Sequence, residues 1–378
     1  MNGLCCGFSI PVAQSFGAKD DSAMRRCVAN MVWASLILGG IITLVTGIWT
    51  REILILMQTP SNILEDAYAY IFTIFLGTYV TILYNCLAGI MRALGDSKTP
   101  LLFLACASLL NVVLDLFFII VMNTGVFGAA LATVISQGIS GLLCLVFLIK
   151  KFPILHIQKE EWKWDGFSVK RLFNMGLPMG LQYSITAIGS TVLQTAVNSL
   201  GSDIVASITA ANKVQMLVTQ PMETLGVTMA TYCGQNLGAR RFDRIRQGIW
   251  HGSILGALFS ILALIIILCF GSYISLLFVE STETQIIANI QQFLLYNGLC
   301  YILLTLLLVF RNTLQGMGHA ALAMSAGVME MIARSIVAFC LVGPFGYTAV
   351  CCSNPIAWTF ALFFLIPAYF VLRRRMPA

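Results

Sequence analysis

Charged residues are scarce in this chain of 378 residues. Asp, Glu, Lys and Arg together make up 10% of it, whereas apolar residues make up 58%. A soluble protein of this length needs more charge to cover its surface, so the surrounding medium is predicted to be lipid. The same composition excludes a disordered, collagen-like or coiled-coil chain.

Motifs that carry enzyme chemistry are also absent. The sequence has no G-x-S-x-G, H-E-x-x-H, P-loop or G-x-G-x-x-G pattern, so we predict that the protein is not an enzyme and does not hydrolyse ATP. Its 3 His residues share no metal-ligand spacing, and its 12 Cys residues include no C-x-x-C pair. Most of the Cys residues lie in apolar runs, as small buried hydrophobic residues do. We therefore expect no bound metal and no cofactor.

Long apolar runs dominate the chain. A helix needs about 20 mostly apolar residues to cross the hydrocarbon core of a membrane. Barrel strands would be about 10 residues long with strict alternation, so the runs predict an all-α polytopic membrane protein. The predicted spans are 27–50, 67–91, 99–122, 126–149, 172–200, 204–236, 248–272, 285–310, 320–343 and 348–372.

Basic residues mark one side of the membrane. Of the 22 Lys and Arg residues, 19 fall in alternate loops or at the C-terminus, and Arg311 is counted among them. By the positive-inside rule these loops and the C-terminus are predicted to face the cytoplasm from a cell membrane. Because no basic cluster forms a folded module of its own, we expect no nucleic-acid partner.

The two halves of the sequence resemble each other. Three short segments of the first half recur in the same order in the second half, and the offset between the members of each pair is nearly constant. Such an order at a nearly constant offset indicates an internal duplication. The matched segments are 13–19 with 234–240, 91–95 with 314–318, and 127–129 with 345–347.

The repeat predicts two parallel six-helix lobes, 1–149 and 172–378, joined by a polar, amphipathic linker, 150–171. Gln14 of the first lobe lies close to the first residue, whereas the equivalent Gln235 lies much farther from the start of the second lobe at 172. We therefore expect a shortened first lobe, without its first helix and most of its second.

Ionisable residues inside the predicted spans are functional candidates, because a charge is costly there. Asn111 and Asp115 share one helical face, so they could coordinate a cation or relay a proton; alternatively, Asp115 is a structural hydrogen-bonding anchor. Glu330 and Arg334 have the same spacing, but their opposite charges favour a structural ion pair.

Polar residues on spans 172–200 and 204–236 are candidates for a substrate cleft. On the first of these spans a polar residue recurs every four positions, which suits either a cleft or hydrogen bonding between helices. On the second span, Lys213 and Glu223 either line the same cleft or snorkel and pair with other helices. The polar row consists of Gln182, Thr186, Ser190, Gln194 and Asn198.

Six short stretches, spread over essentially the whole chain, resemble motifs of the MATE (multidrug and toxic compound extrusion) family of transporters. Each stretch is weakly specific alone, but their ordered combination is specific. They are PVAQSFGAK from Pro11, RALGDSKTP from Arg92, NVVLD from Asn111, GVFGAALAT from Gly125, GQNLGA from Gly234 and EMIAR from Glu330.

The resemblance implies a twelve-helix transporter with two lobes. Such proteins export organic, often cationic, compounds by alternating access, driven by inward flow of H⁺ or Na⁺. Some members have an N-lobe cation site, whose residues match Asn111, Asp115 and Thr133 here; the first-helix Asp of that site is expected to fall in the missing first helix. Other members carry C-lobe acids, for which spans 172–200 and 285–310 offer no equivalent.

Two alternatives stay open beside a drug antiporter. A lipid-linked oligosaccharide flippase of the related superfamily would need a strongly cationic central cleft, for which only Lys213 and Arg334 are available within the spans. A non-transporting, truncated membrane protein would need no coupling site. For the antiporter we expect a monomer in the lipid bilayer, a small organic substrate, and H⁺ or Na⁺ as the coupling ion.

Overall fold

The computed structural model of the chain describes residues 2–57, 59–276, 278–280 and 282–374. Every regular element in these residues is helical, which confirms the predicted all-α class. The first six α-helices are α1 (Asn2–Gly17), α2 (Asp21–Leu56), α3 (Leu64–Leu76), α4 (Thr78–Ala93), α5 (Lys98–Leu116) and α6 (Gly125–Lys151). The others are α7 (Gly166–Asn198), α8 (Ser202–Gly238), α9 (Phe242–Ser275), α10 (Thr284–Leu299), α11 (Tyr301–Gly316), α12 (Ala320–Ile336), α13 (Val342–Phe345) and α14 (Tyr347–Arg374).

Length and apolar composition allow six of the helical segments in the described residues to cross a membrane, or eight if each of two bent helix pairs is one span. The bent pairs are α3 with α4, at 42°, and α10 with α11, at 52°. Helices α7 and α8 occupy the predicted spans 172–200 and 204–236 but carry more polar side chains. All ten predicted runs are therefore helical, and a polytopic membrane protein is confirmed.

Equivalent helices of the two halves end in the same backbone geometry. In the turns that follow α1 and α8, one residue is in the left-handed conformation, Lys19 and Arg240 respectively, each with φ of 57°. The turns that follow α4 and α11 likewise contain Gly95, with φ of 94°, and Gly318, with φ of 92°. In all four turns the next amide donates to the carbonyl oxygen five residues before it, which is the Schellman motif. The predicted repeat thus extends to the turns.

The chain divides into two compact units, Met1–Gly176 and Leu177–Ala378, each with its own apolar core. Phe8 and Met91 are among the fully buried side chains of the first core, and Tyr301 and Leu307 are among those of the second. The predicted lobe limits, 149 and 172, stay predictions.

The polar segment 150–171 packs against α2 within the first unit. Arg25 Nε donates to Glu161 Oε2 at 2.7 Å, and Trp33 Nε1 donates to the carbonyl oxygen of Trp162 at 2.9 Å. The Glu161 side chain is only 6% exposed. The hydrogen bond from Arg25 holds the pKa of Glu161 below its ordinary value of 4.5. The segment is therefore fixed to the first unit by a partly buried ion pair.

Glu161→Gln is expected to release this segment from α2. Trypsin cleavage after Lys159 and Lys163 should become about tenfold faster at neutral pH, because a charge-assisted hydrogen bond is lost. A folded-state pKa below 4.5 means that the ionised carboxylate stabilises the contact above that pH. In the unmodified chain, the segment should therefore lose this contact with α2 only as the pH falls through the lowered pKa of Glu161 in the folded protein. Glu160→Gln, at an exposed neighbouring position, is the matched control; equal cleavage of both variants would contradict the prediction.

Candidate functional site

The first polar group lies between α5 and α6 in the first unit. Asn111 and Asp115 are one turn apart on α5, and Thr133 on α6 lies beside Asn111. Asn111 Nδ2 donates to Thr133 Oγ1 at 3.5 Å, and that hydroxyl donates to the carbonyl oxygen of Ala129 at 3.0 Å. The structure therefore brings Asn111 and Thr133 together across two helices.

Asp115 stands out because one carboxylate oxygen has no partner. Its Oδ1 atom is buried and accepts no hydrogen bond from any of the described residues. A buried carboxylate oxygen is costly unless a donor, a proton or a cation compensates it. This oxygen is therefore a candidate acceptor for a group that the described residues do not supply.

The second polar group lines a cavity of about 250 Å³ inside the second unit. Four helices besides α7 contribute to it, so side chains distant in sequence converge on one space. Its charged lining residues are Glu223, Arg311, Glu330 and Arg334. Its remaining lining residues are Gln182, Tyr183, Thr186, Gln215, Thr219, Leu304, Leu307, Asn354 and Trp358.

Glu330 is held by two arginines in this cavity. Its Oε1 atom lies 3.2 Å from Arg311 Nη1, and its Oε2 atom lies 3.7 Å from Arg334 Nη2. The assignment of Arg311 to a cytoplasmic loop was wrong, because α11 continues to Gly316 and buries this side chain to 14% exposure. The arrangement is therefore a cluster of three charges, two of them positive.

The two arginines differ in how well their donors are satisfied. The amide oxygen of Gln182, turned toward Arg311, accepts from its Nε atom at 3.1 Å and from its Nη1 atom at 3.2 Å. Arg334 is buried, yet its nearest acceptors lie at 3.4 to 3.5 Å, on Thr186, Ser190 and Asn354. Charge-assisted hydrogen bonds are normally about 2.7–2.9 Å long. The Arg334 guanidinium therefore retains donor capacity toward the cavity.

The cleft candidates from the sequence separate into two groups. Gln182, Thr186 and Glu223 line the cavity, whereas Gln194 and Asn198 do not. Those two side chains instead hydrogen-bond to each other at 2.9 Å. Their roles in a cleft stay predictions.

Lys213 also lies outside the lining of this cavity. The residue is exposed, and its ammonium group lies 6.0 Å from the ring centre of Phe278. A separation of about 6 Å is at the limit of a cation–π contact. The role of Lys213 in a cleft stays a prediction.

The internal repeat indicates that Arg311 lies inside a span, although the predicted span 285–310 ends one residue before it. When segment 91–95 is aligned with segment 314–318, Arg311 corresponds to Ala88, which lies inside a predicted span. Gln215 and Asn354 gave no such signal, because isolated amides are common on membrane helices. Among the described residues, no group of three or more His, Cys, Asp or Glu residues could hold a metal ion.

Comparisons with known proteins agree with this fold. A model of the MatE family matches residues 1–117 and 178–340. The chain is 30% identical over 298 residues to "Probable multidrug resistance protein YoeA" of Bacillus subtilis (strain 168), covering 76% of this chain and 64% of YoeA. It is 24% identical over 373 residues to "Multidrug export protein MepA" of Staphylococcus haemolyticus (strain JCSC1435), covering 97% of this chain and 80% of MepA.

Solved structures show the same fold. One is described as the outward-facing conformation of a multidrug resistance MATE family transporter of the MOP superfamily, with a TM-score of 0.92 and 22% identity over 100% of this chain and 85% of that one. Another, of MATE in the bent conformation, has a TM-score of 0.88 and 22% identity over 99% of this chain and 85% of that one. The chain spans less than two thirds of the length of YoeA and of its Bacillus subtilis relative YpnP, 64% and 57%. Because the family model matches well over half of its residues, the chain belongs to the MATE family.

Proposed function

We propose that this protein is a secondary transporter, not an enzyme, that exports small organic, often cationic, compounds in exchange for H⁺ or Na⁺ by alternating access. Membership of the MATE family supports a transport function. Relatives whose names include multidrug resistance and multidrug export support drug-like substrates. The absence of a nucleotide-binding motif favours an ion gradient as the energy source.

The unpartnered oxygen of Asp115 carries this proposal. Binding of H⁺ or Na⁺ there would neutralise a carboxylate whose charge is costly inside the membrane. The side-chain oxygens of Asn111 and Thr133 are the kind of ligand that a hard cation takes. Because an ion that binds one conformation more tightly shifts the population toward it, the ion gradient would drive export through this carboxylate.

The second unit offers little support for a lipid-linked oligosaccharide flippase. Its cavity has Arg311 and Arg334, but Glu330 and Glu223 balance these two positive charges. A flippase of that class would need a clear excess of positive charge to hold the phosphates of its substrate. The drug antiporter is therefore the better-supported function.

We also propose that the protein lies in the cell membrane with α14 ending on the cytoplasmic side. Arg373 and Arg374 lie in the last turn of this helix. Basic residues at the end of a membrane helix favour the cytoplasmic face.

Inside-out membrane vesicles test the exchange directly. With ethidium as the probe, an imposed H⁺ or Na⁺ gradient should drive dye uptake into vesicles that contain the protein, and one of the two ions should suffice. Vesicles from the same host without the protein are the control. Uptake that requires ATP, or that responds to neither gradient, would refute an ion-coupled antiporter.

A further inference from the structure

The cavity of the second unit is lined by charged side chains of both signs. Arg311 and Arg334, from α11 and α12, form what we call the basic wall. Gln215 and Glu223, both on α8, form what we call the acceptor wall. A ligand that carries one group of each charge could contact both walls, whereas a simple cation would be repelled by the first.

The basic wall has unused capacity for an anion. It carries two guanidinium groups and is matched by one buried carboxylate, that of Glu330. Arg334 is only 7% exposed, and its contacts range from 3.4 Å to the 3.7 Å separation from Glu330. A ligand carboxylate could approach to the normal distance of about 2.7–2.9 Å for a charge-assisted hydrogen bond. A planar guanidinium is suited to binding a carboxylate through two such bonds.

In the acceptor wall, one side-chain oxygen receives no hydrogen bond from the described residues. Gln215 Oε1 is buried and has no hydrogen-bond partner among the described residues. The Glu223 carboxylate, eight residues farther along α8, adds a negative charge to the same cavity. An ammonium group has three donors and no acceptor, so it could donate to the orphan carbonyl of Gln215 in a cavity that Glu223 also lines.

Size and apolar lining limit the ligand further. The cavity volume of about 250 Å³ lies below the range of about 300–1,000 Å³ that is usual for pockets of drug-sized ligands. Leu304, Leu307 and Trp358 supply apolar surface in the same cavity. The space thus suits a molecule smaller than most drugs, with an apolar part.

We propose that this cavity binds a small zwitterion of the amino-acid type. Its carboxylate would bind the basic wall, its ammonium group would bind the acceptor wall, and its apolar side chain would pack against Trp358 and the two leucines. Binding of the zwitterion does not depend on how transport is coupled to an ion. Its export as a substrate, in contrast, rests on the proposed function.

Equilibrium binding of three probes to the purified full chain in detergent tests the proposal. The probes are L-leucine, L-leucinamide, which lacks the carboxylate, and 4-methylpentanoate, which lacks the ammonium group. Leucine should bind at least about tenfold more tightly than either analogue, because each analogue loses one charge-assisted contact. Equal affinities, or no leucine binding at about 10 mM, would refute a zwitterion site.

Two variants test which wall binds the carboxylate of the probe and which binds its ammonium group. Arg334→Gln should weaken leucine binding about tenfold and leave leucinamide binding unchanged. Glu223→Gln should weaken leucine and leucinamide binding but not that of 4-methylpentanoate. Glu223 is exposed, so this variant tests the site even if Arg334→Gln fails to fold. Arg241→Gln, in an exposed pair with Asp243, is the matched control. A loss that is the same for all probes would contradict the assignment.

The same measurements separate this inference from the proposed function. Leucine binding without ion-driven ethidium transport would refute the antiporter and keep the zwitterion site. Ion-driven ethidium transport without selective leucine binding would refute the zwitterion site and keep the antiporter.

Discussion

Asp115→Asn is expected to abolish ion-driven export while the protein still folds. Asparagine has nearly the same shape as aspartate, but it neither takes up a proton nor provides a negative charge for Na⁺. Because a lone carboxylate inside a membrane helix is a default coupling candidate, transport should fall below about a tenth of the unmodified level. Resistance of an efflux-deficient host and ethidium uptake by inside-out vesicles both measure this loss.

The stability of the variant distinguishes coupling from a structural role. Asp115 Oδ1 has no hydrogen-bond partner to lose, so Asp115→Asn should leave the thermal unfolding midpoint in detergent unchanged or raise it. Asp66→Asn, at an exposed position in the first turn of α3, is the control for transport and should retain it. Full transport by Asp115→Asn would remove this residue from the mechanism, and unfolding of the variant would identify a structural anchor.

Glu330→Gln is expected to cause the largest loss of stability among the variants considered. The change leaves the guanidinium groups of Arg311 and Arg334 without their shared carboxylate, in a site where Glu330 is only 3% exposed. Removing one partner of a buried ion pair typically costs about 3–5 kcal/mol, because the remaining charge is uncompensated. Thermal unfolding of the purified protein should show a correspondingly lower midpoint.

An exposed ion pair provides the matched comparison. Glu65→Gln removes the same kind of carboxylate from its 2.7 Å contact with Arg51, where the side chains are 71% and 59% exposed. Exposed pairs contribute about 0–1 kcal/mol, so this variant should be nearly unchanged. Adding Arg334→Gln to Glu330→Gln should recover part of the lost stability, since it removes one uncompensated charge. Similar small losses for both single variants would show that burial does not strengthen the Glu330 cluster.

The duplicated halves carry different chemistry at equivalent positions. Glu330 and Arg334 follow Asn111 and Asp115 at nearly the same offset as the three matched segments of the repeat. In the first unit this spacing leaves a carboxylate oxygen without a partner, whereas in the second it places a carboxylate beside two arginines. The repeat thus kept the four-residue spacing, while the residues at these positions differ in charge and in their partners.

The sequence by itself determined the lipid environment, the helices and the family. Few charges and long apolar runs leave the helix as the element that satisfies its own backbone in a membrane. Recurrent segments at a nearly constant offset predicted the repeat, and the glycines at 95 and 318 show it again in the turns. Asn111, Asp115 and Thr133 were predicted as a cation site from spacing and resemblance, because two of them share one helix face and local periodicity reveals such a pair.

Only the tertiary structure decided which side chains meet in the second unit. Apolar runs fix the ends of a helix poorly, so Arg311 was placed in a loop although α11 continues beyond it to Gly316. Lys213 and Gln215 are two positions apart on α8, yet one contacts Phe278 and the other lines the cavity. Side chains two positions apart point in different directions from a helix, and the neighbouring helices determine what each direction meets. Those contacts join residues far apart in sequence, and no local pattern encodes them.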